Sequence, residues 1–360
     1  MVTNETMLDV ASALAAAKLE TTIKLGLDVH AMQITVCRQI GGLLPQPAQK
    51  FAWPRFLEWV EEQIKSGAKV YCCYEAGPCG YGLYRQLIKM GAVCYVVAPQ
   101  RWDERGQRVK TDKRDASQLC DRLDRYVSGN TNAFTVVCVP TPEQEERRAL
   151  SRQRGAVGKE KRRCIVRGHG LMLSQGTHAP EGWWKKKEWE ELSKSLPLWL
   201  RHQVEFWRSQ ILRLDEELDA LTDKVIAQKT GPRMPKGVGA LTTAVLQAEI
   251  LDWSRFKNRR QVSSYTGLCP SEDSSGERRR QGAITKHGNP RVRHQLIEAV
   301  WRMQMWQPTY PPLQKLRSAQ GPRARKKATV AVARQLAVDL WRLHTGQCNA
   351  EKLKLVLAEA

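Results

Sequence analysis

The run Val70–Tyr74, V-Y-C-C-Y, most narrows what this chain can fold into. A strand that is apolar at consecutive positions suits burial on both faces, as in the parallel strands of an α/β sheet covered by helices. The flanking sequence agrees. Leu25–Val29 and Gln33–Arg38 are short β-type runs joined by His30–Met32, Gly41-Gly42 makes a break, and Lys50–Trp53 supplies a third strand. Pro54 begins a helix in which Phe56, Trp59, Val60 and Ile64 recur at helical spacing. After Val70–Tyr74 a second helix turns Leu83, Leu87 and Ile88 inward, and the strand Val93–Ala98 follows. The order β-β-β-α-β-α-β is that of a ribonuclease-H-like sheet, a hairpin start followed by parallel strands.

Acids fall at the ends of these elements. Asp28 lies in the first strand, out of place in L-G-L-D-V. Glu75 sits where the apolar strand exits, the end at which open α/β sheets tend to hold ligands. The stretch Val109–Leu119, V-K-T-D-K-R-D-A-S-Q-L, sets Asp112 and Asp115 three residues apart, on one face of a helix. Taken singly, each acid is explained by a turn or by a salt bridge to Lys113, Arg114 or Arg122. Brought together, four carboxylates repel unless protonated or neutralised by a cation. Hard oxygen donors favour Mg²⁺ or Mn²⁺, and such ions serve phosphodiester chemistry.

Charge points to the same class of substrate. Lys and Arg number 58 against 37 Asp and Glu, a formal +21 that predicts a polyanionic partner. No apolar run approaches the ~20 residues of a membrane span, so no membrane partner is expected. The opening M-V-T-N-E-T-M-L-D-V is acidic and makes a poor signal peptide. The ten cysteines are scattered without a C-x-x-C pair, which argues against a zinc site or a disulfide framework and predicts a reduced, cytoplasmic protein.

The middle of the chain is helical. Thr141-Pro142-Glu143-Gln144 has an N-cap, a proline at the first helical position and a glutamine three residues after the cap. A basic helix follows until Gly168, Gly170 and Gly176 break it. Trp183–Lys187, W-W-K-K-K, reads either as a base-stacking platform beside cations or as a partly buried surface turn. Leu200, Val204, Trp207, Ile211, Leu214, Leu218, Leu221 and Val225 step by four and three, the seam of a coiled coil formed within the chain or between chains.

In the last third, Gly237 and Gly239 form a Gly-x-Gly turn before a helix, where backbone N–H groups can hold a phosphate. Ser264–Arg293 carries Arg278, Arg279, Arg280, Lys286, Arg291 and Arg293 around Ser274 and Ser275. A serine there can cap a helix, contact phosphate, or act as a nucleophile whose alkoxide is stabilised by nearby cations. Arg323–Lys327 opens a terminal helix.

The ordered motifs L-D (Asp28), Y-E-A-G (Glu75), K-T-D-K-R-D-A (Asp112, Asp115), the Gly237–Gly239 turn and Y-T-G-L-C-P-S-E-D-S-S-G…G-A-I-T-K-H-G-N resemble the insertion-sequence-110 family of transposases. These are also called DEDD or bridge-RNA-guided recombinases. The resemblance implies an α/β plus α chain: an N-terminal extension (1–21), a RuvC-like ribonuclease-H DEDD domain (22–140), central coiled-coil helices (141–229), a mainly helical transposase domain with the serine (230–310) and a helical end (311–360). It implies that Asp28, Glu75, Asp112 and Asp115 bind Mg²⁺, with Mn²⁺ as the alternative, and that Ser275, with Ser274 as the neighbouring choice, is the nucleophile. It further implies target and donor DNA, a guide (bridge) RNA, a homodimer or homotetramer, and a nucleoid-associated location in a prokaryotic cytoplasm. Gly77-Pro78-Cys79 departs from the hydroxyl residue that many members carry shortly after the Glu. A hydrolytic junction-resolving nuclease and a non-catalytic nucleic-acid binder are the rival readings of the same residues.

Overall fold

The computed structural model describes residues 21–99, 111–275, 278 and 280–358. The N-terminal extension up to residue 20, Val109-Lys110 and Arg279 lie outside them. The chain divides into two compact units, one ending at Val139 and the other beginning at Pro140.

In the first unit, β1 (Thr22–Val29), β2 (Gln33–Ile40), β3 (Gln49–Ala52), β4 (Lys69–Glu75) and β5 (Val93–Val97) form one sheet in the order β3-β2-β1-β4-β5. β1, β2 and β3 pair antiparallel, while β1, β4 and β5 run parallel. The apolar run is thus a strand with parallel neighbours on both sides. Helices α1 (Trp53–Lys65) and α2 (Gly82–Lys89) connect β3 to β4 and β4 to β5. Leu25, Leu27, Val36, Cys72 and Tyr74 pack with Phe56, Val60, Leu83 and Leu87. Ile88, expected inward, is 43% exposed. Leu83 and Leu87, one turn apart, fill the inward stripe of this two-turn helix, and Ile88 is rotated about 100° away from Leu87.

The other sheet face is covered by α3 (Asp112–Val127), whose Ala116, Leu119, Cys120 and Leu123 are buried. The covering is close. A Cβ on Gly26 would lie 2.2 Å from the Ala116 carbonyl oxygen and 2.3 Å from the Cys120 nitrogen. The helix backbone therefore rests on β1 where a glycine leaves room. Buried Lys24, two residues earlier on the same face, pairs with Asp124 of α3.

In the second unit, Thr141 caps α4 (Pro142–Ser174) through a capping box with Gln144. α5 (Lys186–Ser195) leads into α6 (Leu198–Ala227). Arg154 meets Thr222, Lys161 meets Asp215, and Arg167 stacks over Trp207, so α4 and α6 run antiparallel. Every seam residue from Leu200 to Val225 is buried or half-buried, and Leu218 packs at Gly158 of α4. The stripe finds its partner helix within the same chain. Gly168 and Gly170 do not break α4. A Cβ on Gly168 would come within 2.4 Å of the Trp183 ring, so that glycine makes room for the indole. Trp183 is 1% exposed and is a core residue rather than a base-stacking platform.

The remainder comprises α7 (Ala240–Ile250), α8 (Arg259–Thr266), a hairpin of β6 (Pro270–Glu272) and β7 (Gln281–Ile284), α9 (Pro290–Trp306), the single turn α10 (Gln314–Arg317) and α11 (Gly321–His344). Their core includes Leu246, Val262, Leu296, Met303, Leu336 and Leu340. Glu249 is buried in its middle with no exposed side-chain surface. Arg152 of α4 donates to both of its oxygens at 3.0 and 3.1 Å, and Asn289 donates to Oε2 at 2.8 Å. Arg148 and Arg291 stand 3.7 and 3.8 Å away. Burial pushes the Glu249 carboxyl up, but Arg152, Asn289 and Arg148 together outweigh it and hold the group below its ordinary value. No helix among the described residues is long and apolar enough to cross a membrane.

Two outcomes follow from these contacts. Gly26→Ala forces α3 off β1 and should cost about 1–3 kcal/mol or more, read as a lowered denaturation midpoint. Glu249→Gln leaves its arginines short of a counter-charge. It should cost up to about 3 kcal/mol, discounted because Arg152 is 41% exposed. Because the folded Glu249 carboxyl is depressed, its stabilisation is present above the ordinary carboxyl range and lost as pH falls through the folded value. Glu249→Gln should therefore flatten that part of the acid-unfolding profile.

Candidate functional site

The site of the first unit is assembled at the C-terminal end of β1, on the face that α3 covers. Asp28 follows Gly26 by two residues, so its side chain emerges on the same face, just beyond the helix contact. Leu27 pairs with Tyr74 in the parallel register, and both face the opposite core. The next residues, Asp28 and Glu75, therefore both turn toward α3. Thr111 precedes the helix, and Asp112 and Asp115 occupy its first turn, where carboxylates are favoured by the helix dipole. Seating α3 on Gly26 carries that first turn over the strand end.

Asp28, His30 and Asp112 each place a donor atom within 4.8 Å of the others. His30 Nε2 lies 3.1 Å from Asp28 Oδ2 and 3.7 Å from Asp112 Oδ1. Lys50 on β3 donates to Asp112 Oδ2 at 3.1 Å. Burial raises the Asp28 carboxyl above its usual range; His30 opposes this, while Asp112 and Asp115 add to it. The Lys50 hydrogen bond holds Asp112 below that range. Asp28 thus feels both neighbouring carboxylates. Asp28 and Asp112 converge closely, Asp115 acts on Asp28 through its charge, and Glu75 shares the sheet face of Asp28 from the adjacent strand. Two hard oxygens and an imidazole nitrogen, with the charge of Asp115 felt at Asp28, suit a divalent cation of the Mg²⁺ or Mn²⁺ type.

His30 and Lys50 were not singled out by sequence reasoning. The signal for His30 was present, since D-V-H spaces two donors by two residues at a strand end. Lys50 had no such signal, because its nearness to Asp112 depends on β2–β3 pairing and on the seating of α3.

In the second unit, Ser274 and Ser275 lie in the exposed loop of the β6–β7 hairpin. Ser274 Oγ donates to Glu272 at 3.1 Å and accepts from the Arg280 backbone N–H at 3.2 Å. Ser275 exchanges backbone hydrogen bonds with Arg278, and its hydroxyl makes no hydrogen bond among the described residues. Arg278, Arg280 and Lys286 are exposed. Arg291 reaches the buried Glu249, and Arg293 donates to the Thr266 carbonyl at 3.0 Å, so both are partly engaged within the fold. Gly237 has a positive φ of 93° and packs on α9, where a Cβ would lie 2.9 Å from Met303; Gly239 is the N-cap of α7.

A further contact, unread from the sequence, supports the hairpin. Asn289 caps α9 with its carbonyl oxygen while its amide donates to Glu249 and to the Tyr265 hydroxyl. The Tyr265 hydroxyl donates in turn to the Glu249 backbone carbonyl at 2.6 Å. The helices on both sides of the hairpin are tied to one buried residue, Glu249, α9 through its carboxylate and α8 through its backbone carbonyl.

Similarity to known proteins identifies the family. Residues 234–313 match a family described as "Transposase IS116/IS110/IS902 family". The chain is 34% identical over 299 residues to "Putative transposase y4rJ" of Sinorhizobium fredii, covering 74% of this chain and 75% of that one. It is 33% identical over 250 residues to "Putative transposase y4qE" of the same organism, covering 68% of this chain and 60% of that one. It is 24% identical over 310 residues to "Transposase for insertion sequence element IS1533" of Leptospira borgpetersenii, covering 79% and 86% respectively. The chain belongs to the IS116/IS110/IS902 family of transposases.

Proposed function

We propose that this transposase is an RNA-guided DNA recombinase of a mobile element, joining a carboxylate-bound Mg²⁺ (or Mn²⁺) site on a RuvC-like sheet to nucleophilic attack by Ser275. The observation that carries this reading is the convergence of Asp28 and Asp112 at the strand end covered by α3, with Asp115 acting on Asp28 through its charge and Glu75 on the same sheet face. The motif order around Ser275 and the exposed Arg278, Arg280 and Lys286 support the serine's role. The formal +21 supports nucleic-acid partners. Sequence choice would be delegated to base pairing, with the protein holding the backbone.

In the reaction, Ser275 Oγ attacks phosphorus. The Oγ–P bond forms as one P–O bond to a sugar breaks; the hydroxyl proton leaves Oγ, and the departing sugar oxygen takes up a proton. A strand hydroxyl from the exchanged duplex then attacks the serine ester and releases Ser275. The bound cation supplies Lewis-acid stabilisation of the charge on the phosphoryl oxygens. Asp28 and Asp112, supported by Glu75 and Asp115, would hold it. The hairpin cations would stabilise the anionic transition state at the serine.

With RNA and DNA carrying the element's flanking sequences, the protein should form a covalent protein–DNA adduct. That adduct should be lost in Ser275→Ala, by more than about a thousandfold, and kept in Ser274→Ala. A Ser275→Ala protein that cleaves like the parent would identify the hydrolytic nuclease instead. Strand breakage surviving in Asp112→Ala would leave only a nucleic-acid binder.

Acid should also weaken metal binding in a defined order. Cation binding needs ionised carboxylates, and the raised Asp28 carboxyl takes up its proton before Asp112 does. Titrating Mn²⁺ affinity from about pH 7 to about pH 4 should show the loss beginning above the range of an ordinary carboxylate. Asp28→Asn should remove that early phase.

A further inference from the structure

We infer that His30 is a ligand of the cation held by Asp28 and Asp112, and that its nitrogen gives this site a preference for Mn²⁺ over Mg²⁺. The inference rests on the metal reading above and goes beyond its four carboxylates.

Position comes first. His30 Nε2 is 3.1 Å from one Asp28 oxygen and 3.7 Å from one Asp112 oxygen. The three donors approach one another as closely as the donors around a single ion do. His30 therefore stands between the two carboxylates rather than beside one of them. Its side chain is 50% exposed against 22% for Asp28, so it forms the solvent side of the cluster, where an ion must enter.

The backbone holds it there. The His30 N–H donates to the Gln33 carbonyl at 3.0 Å, closing the β1–β2 turn. The Trp53 indole donates to the His30 carbonyl at 2.9 Å from the start of α1. Trp53 also packs against the sheet core, so the turn is anchored from both the strand and the helix side. A histidine in a loose surface turn would have neither restraint.

Chemistry gives the consequence. Imidazole nitrogen binds Mn²⁺ and the later first-row ions better than it binds Mg²⁺, which prefers oxygen and retains its waters. Lys50, 3.1 Å from Asp112 Oδ2, does not compete for this position, because an ammonium has no lone pair to offer. Of the two groups in the cluster that are not carboxylates, only His30 can donate electrons to a metal.

The test uses the full-length protein, Mn²⁺ as the spectroscopic probe and Mg²⁺ as competitor. In the parent, electron spin-echo modulation of bound Mn²⁺ should show a coupled ¹⁴N nucleus, and His30→Ala should abolish it. His30→Ala should weaken Mn²⁺ by about tenfold or more, while Mg²⁺ affinity falls by no more than about twofold. His30→Gln, which keeps a polar side chain without a ring nitrogen, should behave like alanine and controls for disturbance of the turn. Bound Mn²⁺ without nitrogen modulation in the parent overturns the inference and leaves the carboxylate site standing. Equal losses of Mn²⁺ and Mg²⁺ in both variants also overturn it. Mn²⁺ binding that is absent from the parent, or that is unchanged in Asp112→Ala, overturns the metal reading itself.

Discussion

The contact between Gly26 and the backbone of α3 is the constraint on which the first unit's chemistry depends. A sheet strand and a helix normally stand apart by the thickness of their side chains. Here the strand offers a hydrogen, and the helix carbonyl of Ala116 and nitrogen of Cys120 occupy the space a Cβ would take. That approach fixes the height of α3 above β1, and the Lys24–Asp124 pair ties the far end of the helix to the same strand face. With height and direction both set, the first turn of α3 lands over the end of β1. Asp28 and Asp112, 84 positions apart in the chain, become neighbours for a reason of packing rather than of charge. Electrostatics alone would keep them apart.

The second unit solves a different problem, that of holding a short exposed hairpin in a helical domain. The β6–β7 pair has few apolar residues and would not stand alone. It is bounded instead by α8 and α9, whose Tyr265 and Asn289 converge on Glu249. The carboxylate is unexposed, yet it keeps its charge because Arg152 grips both oxygens from α4. A buried ionic group of this kind gives little net stability but is costly to unpair. Its service is to fix how α4, α7, α8 and α9 meet, and so where the serine loop begins and ends.

The sheet was legible because its signals are local. V-Y-C-C-Y announces a doubly covered strand, and Gly41-Gly42 and Gly77-Pro78 punctuate it. The spacing of Asp112 and Asp115 likewise needs only one helix turn to interpret. The heptad steps from Leu200 to Val225 announced a partner helix, and α4 of the same chain fills that role. What escaped the sequence depends on contacts between distant segments. Gly168 read as a helix breaker because the indole that needs the space lies 15 residues away and outside any periodic pattern. Trp183 read as a base-stacking platform or a partly buried surface turn because lysines follow it, although a fully buried residue and an exposed one can be adjacent at any turn. Glu249 sat inside an apolar helix with no local partner, and its four partners come from positions 148, 152, 289 and 291. Lys50 and Asp112 meet only through the sheet order.

The two charge distributions of the chain pull in opposite directions, and their conflict is informative. A net +21 draws a polyanion toward the surface, whereas the end of β1 and the start of α3 present a patch of carboxylates that would repel each phosphate. Lys50 offsets one charge and is itself half-exposed. His30 offsets another only when protonated. An acidic spot that existed merely to make salt bridges would be expected to carry matching cations, as the Glu249 cluster does with three arginines. Among the described residues, Asp28 and Asp112 meet one lysine and a donor imidazole, and a divalent cation held between these carboxylates and a phosphate would let a phosphodiester approach. The convergence of these two acids beside a donor imidazole, set against the positive charge of the whole chain, is what supports the metal proposed for this site.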